Sequence, residues 1–380
     1  MMKKRKLIAL LTAVAVCAVL MGGCSADESS VQEPAVTEST DEKPSNETAD
    51  QQTDQPDDFT EGLGDTLITD DIVSENGTQE TEENPASDAE TKDVDLIFFM
   101  GQSNMSGAAG DASLAPEVSA DAGEEFRAVS DPTTLYPIKE PFGINENNPL
   151  GLYEYPGAKK GSLVSAFVNE YHELTGRKVI AVSASMGATD MDKWMTQGVI
   201  DDIRQRYDSA ISYLNNNGYN IGHIYVLWLH GESDAIKGTD PEVYRTDLDN
   251  IMRPLFINGL QKVFIITPGR TIDYRDIFLD IINVQKQICE ESGYYALATT
   301  VLTKVSTEYM SDQYHYNQHV LNMVGIESAK SVAYFTQHGE EKIVYDYREG
   351  EYIVPEGVDP DSQGPQEHLD LSEMNIDEEY

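Results

Sequence analysis

The chain has 380 residues, 26 Lys+Arg against 67 Asp+Glu, and a formal net charge of -41. A nucleic-acid binder needs a basic face, so that class is excluded. The charge is unevenly spread: residues 25–92 hold about 21 acids against 2 bases, residues 346–380 about 12 against 1, and the stretch between is only mildly acidic. Residues 93–345 therefore read as one domain, long enough to bury a full core. The flanking segments read as solvated tails.

The first 23 residues are expected to be a signal peptide. Lys3, Lys4, Arg5 and Lys6 form a basic start, and Leu7 to Leu20 is an apolar run too short to span a bilayer comfortably. The run closes in Met21-Gly22-Gly23-Cys24. That ending resembles a bacterial lipobox, with Met21 where Leu is commoner, and the resemblance implies a lipidated Cys24. The other reading is a plain signal peptide followed by a chance cysteine. On the first reading the protein sits on the outer face of the cell membrane, anchored through Cys24. Residues 24–92 are rich in Ser, Thr, Glu, Asp and Pro. They cannot bury enough apolar area to offset chain entropy, so a disordered tether is expected. Cys17 leaves with the signal peptide, and Cys289 is then a lone thiol, expected as a small buried apolar residue.

From Asp93 strands and helices alternate. Val94–Met100 is a continuous apolar run, as in a strand buried on both faces. A helix is predicted over Ser162–Leu174, a strand over Lys178–Ser183, and a helix through Ile203, Tyr207, Ala210 and Leu214 that stops at Gly218. Ile224–Leu229 is a third strand. Pro241–Phe256 is a helix with Pro at its start, and Val263–Thr267 a fourth strand. Tyr274–Glu291 is a helix, Tyr295–Thr300 a fifth strand, and Val320 to Phe335 a last helix. Residues 340–354 are consistent with a small hairpin. The pattern predicts an α/β fold: three layers, α/β/α, around a mostly parallel five-stranded sheet. Such sheets carry their sites at the carboxyl ends of the strands.

Four polar segments follow strand ends. The first strand runs into Gly101-Gln102-Ser103-Asn104-Met105. Ser103 is placed for a nucleophile if a base comes within reach, although a lone Ser there also serves as a helix cap or turn residue. The second strand runs into Ser185-Met186-Gly187-Ala188-Thr189-Asp190. Its small residues can bring backbone N–H groups close to a ligand, or form an ordinary turn. The third ends in His230-Gly231-Glu232-Ser233-Asp234. His230 reads as functional or as a satisfied core histidine, and Glu232 as functional or as a cap of the next helix. Near the domain's end, Asp312-Gln313-Tyr314-His315 sets an acid three residues before a His. It can steady the imidazole as in a Ser-His-acid triad, or form a polar surface turn.

Together GQSNM, SMGATDMDKWM, WLHGESDA and DQYHYNQ resemble the blocks of the SGNH hydrolases. They are most similar to the branch called sialate O-acetylesterase-like, or carbohydrate esterase family 6, over about residues 94–336. The resemblance implies a flavodoxin-like fold and a carbohydrate O-acetylesterase acting on sialate, xylan or related acetylated glycans. It implies Ser103 as nucleophile and His315 as general base. Asp312 would orient His315, with Glu232 a rival for that role. Gly187 and the Ser103 N–H would line the oxyanion hole. His230, Asn104 and Gln102 complete the candidate oxyanion and substrate-binding set, Asn104 also holding the nucleophile loop. No metal or organic cofactor is implied.

Two departures stand out. His230 replaces the branch's usual Gln, which changes tautomer and pH sensitivity at a candidate oxyanion donor. Ala188 replaces a second Gly, tolerable only where the backbone avoids positive φ. Trp194, with Met191 beside it, is a candidate sugar platform or a core residue. The long segment 106–160 is expected to shape the pocket. Two other function classes stay open. One is a catalytically decayed carbohydrate-binding lipoprotein. The other is a metal hydrolase using Asp312, His315 and His319 at i, i+3 and i+7, which lacks an evident further ligand.

Overall fold

The computed structural model describes residues 92–273 and 275–372. The expected signal peptide, Cys24 and nearly all of the acidic tether lie outside the described residues, as does the end of the C-terminal tail.

Seven strands form one sheet: β1 (Lys92–Gly101), β2 (Gly123–Phe126), β3 (Leu135–Pro137), β4 (Lys178–Ser185), β5 (Tyr219–Leu229), β6 (Lys262–Ile266) and β7 (Tyr295–Thr299). Their order is β3-β2-β4-β1-β5-β6-β7. Every neighbouring pair is parallel except β2 with β3. The five predicted strands are the contiguous run β4-β1-β5-β6-β7. The expectation of five is corrected to seven by β2 and β3, which arise inside the segment read as one long loop. They are only 4 and 3 residues long, and β2 carries two glutamates, so no apolar run marks them.

The central strand explains the layering. Leu96, Phe98 and Met100 of β1 pack with one set of buried residues, Ile97 and Phe99 with another. This is the two-residue period of a pleated strand covered on both faces. Helices α2 (Val164–Thr175) and α8 (Gln318–His338) cover one face through Phe167, Tyr171, Val320 and Val324. Helices α4 (Gln197–Asn216), α6 (Pro241–Ile257) and α7 (Leu279–Glu291) cover the other through Ile203, Tyr207, Leu248 and Ile281. Three short helices, α1 (Ser103–Ser106), α3 (Met191–Trp194) and α5 (Glu232–Lys237), follow β1, β4 and β5 at the carboxyl edge. Helix α7 starts at Leu279 rather than near residue 274. Upstream, Thr271 Oγ1 accepts from Arg275 N and donates to Asp273, holding that stretch as a turn.

A hairpin of β8 (Val344–Asp346) and β9 (Glu351–Ile353) follows α8. The sequence reading ends the domain at 345 and leaves a solvated tail. The described chain instead folds back. His368 stacks on Tyr345 with ring centroids 3.7 Å apart, Leu369 N donates to Tyr347 Oη, and Leu369 and Leu371 pack against the core. Acid count misleads here because three tyrosines, Tyr345, Tyr347 and Tyr352, offer one aromatic seat. Cys289 is a free thiol, partly buried at the edge of the core rather than fully inside it. No helix of the described residues is long and apolar enough to cross a membrane.

Candidate active site

The nucleophile candidate is set by how β1 leaves the sheet. Gly101 has φ +143°, and a Cβ there would lie 2.0 Å from the Leu229 carbonyl oxygen. Only glycine fits such an approach. Gln102 N then donates to Leu229 O at 3.0 Å, locking the turn to β5. The Gln102 side chain is buried. Its Oε1 accepts from Gly231 N and Ser233 N, each at 3.3 Å, so it braces the β5 edge. Ser103 opens α1, where the first backbone N–H groups have no partner within the helix.

The base arrives from residues 310–317, just before α8. Asp312 Oδ1 accepts from the N–H groups of Tyr314 and His315 at 2.9 and 3.0 Å, and Oδ2 lies 2.8 Å from His315 Nδ1. His315 Nε2 lies 2.8 Å from Ser103 Oγ, across 212 residues of sequence. A carboxylate can only accept, so Nδ1 carries the proton and Nε2 is left to accept from the serine hydroxyl. Burial works against ionisation of Asp312, but the hydrogen bonds from the His315 ring and the Tyr314 backbone prevail and hold its carboxyl below the usual range. Both ring nitrogens of His315 are thereby engaged, which leaves none for a metal. Among the described residues no cluster of metal-ligating side chains is present.

Glu232 takes a different place. Its Oε1 accepts from Asn104 Nδ2 at 2.8 Å, while Oε2 has no hydrogen-bond partner. Full burial raises its pKa. No hydrogen bond joins Glu232 to His315, so of the two rival acids Asp312 is the one on the imidazole. Asn104 is the common tie: Nδ2 also donates to Tyr314 O at 3.1 Å, and Oδ1 accepts from Tyr316 N at 3.4 Å. One amide thus joins the serine turn, the carboxylate at the start of α5 and the histidine loop.

His230 does not reach this site. It is fully buried among Trp194, Trp228 and Tyr244, and Nε2 makes no well-formed hydrogen bond. Burial drives its pKa down to about 3, so the ring is neutral. The expected oxyanion role is corrected: apolar walls on several sides make it a core histidine. Trp194 and Met191 are core residues as well, the indole N–H donating to Thr189 Oγ1 at 2.9 Å. Ala188 adopts φ +54°, the one non-glycine with positive φ among the described residues. The loop after β4 therefore needs the conformation that the missing glycine would supply, at a cost of about 1–2 kcal/mol.

Gly187 stands beside Ser103; a Cβ added to it would lie 3.4 Å from Ser103 Cβ. Its N–H is not free. It donates to Oε1 of Glu154, a residue of the long segment between β3 and α2 that the sequence did not single out. Glu154 is buried and is itself held by Asn147, whose Oδ1 accepts from Glu154 N at 2.9 Å and whose Nδ2 donates to Glu154 O at 3.0 Å. Tyr153 and Tyr155 flank it. With Ala108 and Ala158 they line a cleft of about 420 Å³ that also holds Ser103, Gly187, Glu232 and His315. The expectation that 106–160 shapes the pocket is met by these residues. The signal for Glu154 was only its loop, because the register of an irregular segment is set by tertiary contacts.

Residues 93–334 match the family model described as carbohydrate esterase, sialic acid-specific acetylesterase. The chain belongs to that family. This carbohydrate esterase domain is a hydrolase acting on esters. Solved structures similar to it include a protein from Arabidopsis thaliana, with 16% identity, 62% of this chain and 96% of that one covered, and TM-score 0.44. A carbohydrate acetylesterase from Xanthomonas citri has 15% identity, 66% and 58% coverage, and TM-score 0.43. An acetylxylan esterase, Axe2 from Geobacillus stearothermophilus, has 13% identity, 66% and 96% coverage, and TM-score 0.36. No curated protein matches the chain.

Proposed function

We propose that this esterase removes acetyl groups from carbohydrates through Ser103, His315 and Asp312. The observation that carries the reading is the continuous relay from Asp312 Oδ2 through the His315 ring to Ser103 Oγ, with 2.8 Å at each contact. His315 takes the serine proton as Oγ attacks the acetyl carbonyl, and Asp312 steadies the imidazolium that forms. The tetrahedral oxyanion is received by the N–H groups of Ser103 and Gly187, Glu154 having released the latter. His315 then protonates the departing sugar oxygen, and a water activated by the same ring frees acetate. The exposed rings of Tyr153 and Tyr155 at the cleft rim favour a pyranose as the group that leaves. We propose further that the lipobox-like Cys24 anchors the protein on the outer face of the membrane, in reach of acetylated glycans.

Acetate release from 4-nitrophenyl acetate and from acetylated glycosides tests the chemistry. Parent protein turns both over, and Ser103→Ala falls by at least about 10³-fold while its melting temperature is kept. Equal activity in Ser103→Ala would end this reading.

A further inference from the structure

The acid and imidazole side chains lining the Ser103 cleft are Glu154, Glu232 and His315, and among the described residues no lysine or arginine lines it. The nearest basic group on Glu154 is Lys159, whose Nζ lies 3.9 Å from Glu154 Oε2. Lys159 is buried outside the lining, and its Nζ donates to Ser185 Oγ at 2.8 Å. Burial also holds its pKa below the usual range. The pair therefore turns its negative end to the cleft. That end is close to the reacting atoms: Gly187 alone separates it from Ser103, a Cβ on that glycine lying 3.0 Å from Glu154 Oε1 and 3.4 Å from Ser103 Cβ. Asp312 adds a further negative charge behind the His315 ring.

We infer that Glu154 is a specificity-determining residue that makes this a site for neutral acetylated sugars and rejects sugars bearing a carboxylate near the ester. The inference rests on the esterase reading and names its substrate class. A substrate carboxylate entering here loses water and finds no cation to replace it. It also meets the Glu154 carboxylate at short range in a cleft where screening is weak. A sialate acetylated close to its carboxyl group is such a substrate, so the family's descriptive name does not extend to that sugar in this cleft.

The test uses the full chain and three substrates: an O-acetylated sialic acid, the methyl ester of its carboxyl group, and an acetylated neutral pyranoside. The expected result is that the capped sialate and the pyranoside exceed the free acid in kcat/KM by about 10- to 100-fold. Glu154→Gln keeps an oxygen for the Gly187 N–H and removes the charge, and it should close most of the gap between free and capped sialate. The capped-against-free comparison in parent protein needs no variant, so it decides the matter even if Glu154→Gln folds poorly. A free acid hydrolysed as well as its methyl ester overturns the inference, as does a gap that Glu154→Gln leaves unchanged. Ser103-dependent turnover of 4-nitrophenyl acetate is run beside it. If that is present and the free acid wins, only the charge selection fails; if it is absent, the esterase reading fails and takes the selection with it.

Discussion

Two carboxylates compete for the role of orienting His315, and their environments predict unequal effects. In Asp312→Asn the carboxylate that faces Nδ1 at 2.8 Å becomes a neutral amide. A unit charge about 4 Å from the forming imidazolium is worth about 1 kcal/mol in water and about 4 kcal/mol at the effective dielectric of a protein surface. The Asp312 side chain is 53% exposed, which puts the loss between those limits, at about 2–3 kcal/mol. That corresponds to a fall of about 30- to 150-fold in kcat/KM, less than the roughly 10⁴-fold loss known for a buried triad acid. In Glu232→Gln the replacement can still accept from Asn104, and nothing on His315 changes, so kcat/KM should stay within about 5-fold of parent.

The same variant has a stability signature that Asp312→Asn lacks. Burial raises the pKa of Glu232, so its protonated form suits the fold and its ionised form does not. The stability it contributes is fully present below the unfolded value, near 4.5, and is lost as pH rises through the higher folded value. Glu232→Gln removes that loss, so its melting temperature should gain on the parent as pH rises from 4.5. Initial rates on 4-nitrophenyl acetate and thermal melts between pH 4 and 8 measure both effects. A Glu232→Gln rate that falls as far as Asp312→Asn would refute the assignment of Asp312 as the orienting acid.

Asn104→Ala strips Glu232 of its side-chain hydrogen bond and unties the histidine loop; a stability loss of about 2–4 kcal/mol in denaturant melts and at least a tenfold fall in kcat are expected. His230 has a folded pKa near 3, far below its unfolded value of 6.5, so its contribution is intact above pH 6.5 and lost as pH falls. Parent stability should fall as pH drops through that window, and His230→Gln should flatten the acid side of the melting curve. Tyr155, 81% exposed at the cleft rim, should matter to sugar esters alone: Tyr155→Ala raises KM about 5- to 10-fold on acetylated oligosaccharides and changes 4-nitrophenyl acetate less than 2-fold. Cys24→Ala should move the protein from the membrane fraction to the medium, read by fractionation of expressing cells.

What could be read from sequence follows from which contacts are local. Val94–Met100, Ile224–Leu229 and Val263–Thr267 are legible as strands because burial on both faces forces unbroken apolar runs. Gly123–Phe126 and Leu135–Pro137 are not, since strands of 4 and 3 residues carry too little pattern. Ser103, His315 and Asp312 stood out because each follows a strand end or precedes a helix at a spacing that one turn can close. His230 sat in a polar cluster of the same kind, yet Trp194 and Tyr244 arrive from distant elements to bury it. Glu154 has the opposite history, an unremarkable acid in a loop that Asn147 and Gly187 place beside the nucleophile.

The site's precision comes from amides rather than from charges. Ser103 and His315 lie on segments 212 residues apart, and the hydroxyl–imidazole contact tolerates only a few tenths of an ångström of drift. Gln102 fixes the serine turn to β5, and Asn104 fixes it to both Glu232 and the 314–316 backbone. Neither side chain changes protonation across the working pH range, so the alignment stays constant while His315 cycles through its charged form. Glu232 then makes sense as a buried acceptor: its Oε1 holds the Asn104 amide in one orientation, with Nδ2 toward Tyr314 O and Oδ1 toward Tyr316 N. A flipped amide would set like atoms against both partners and pull the imidazole off the serine.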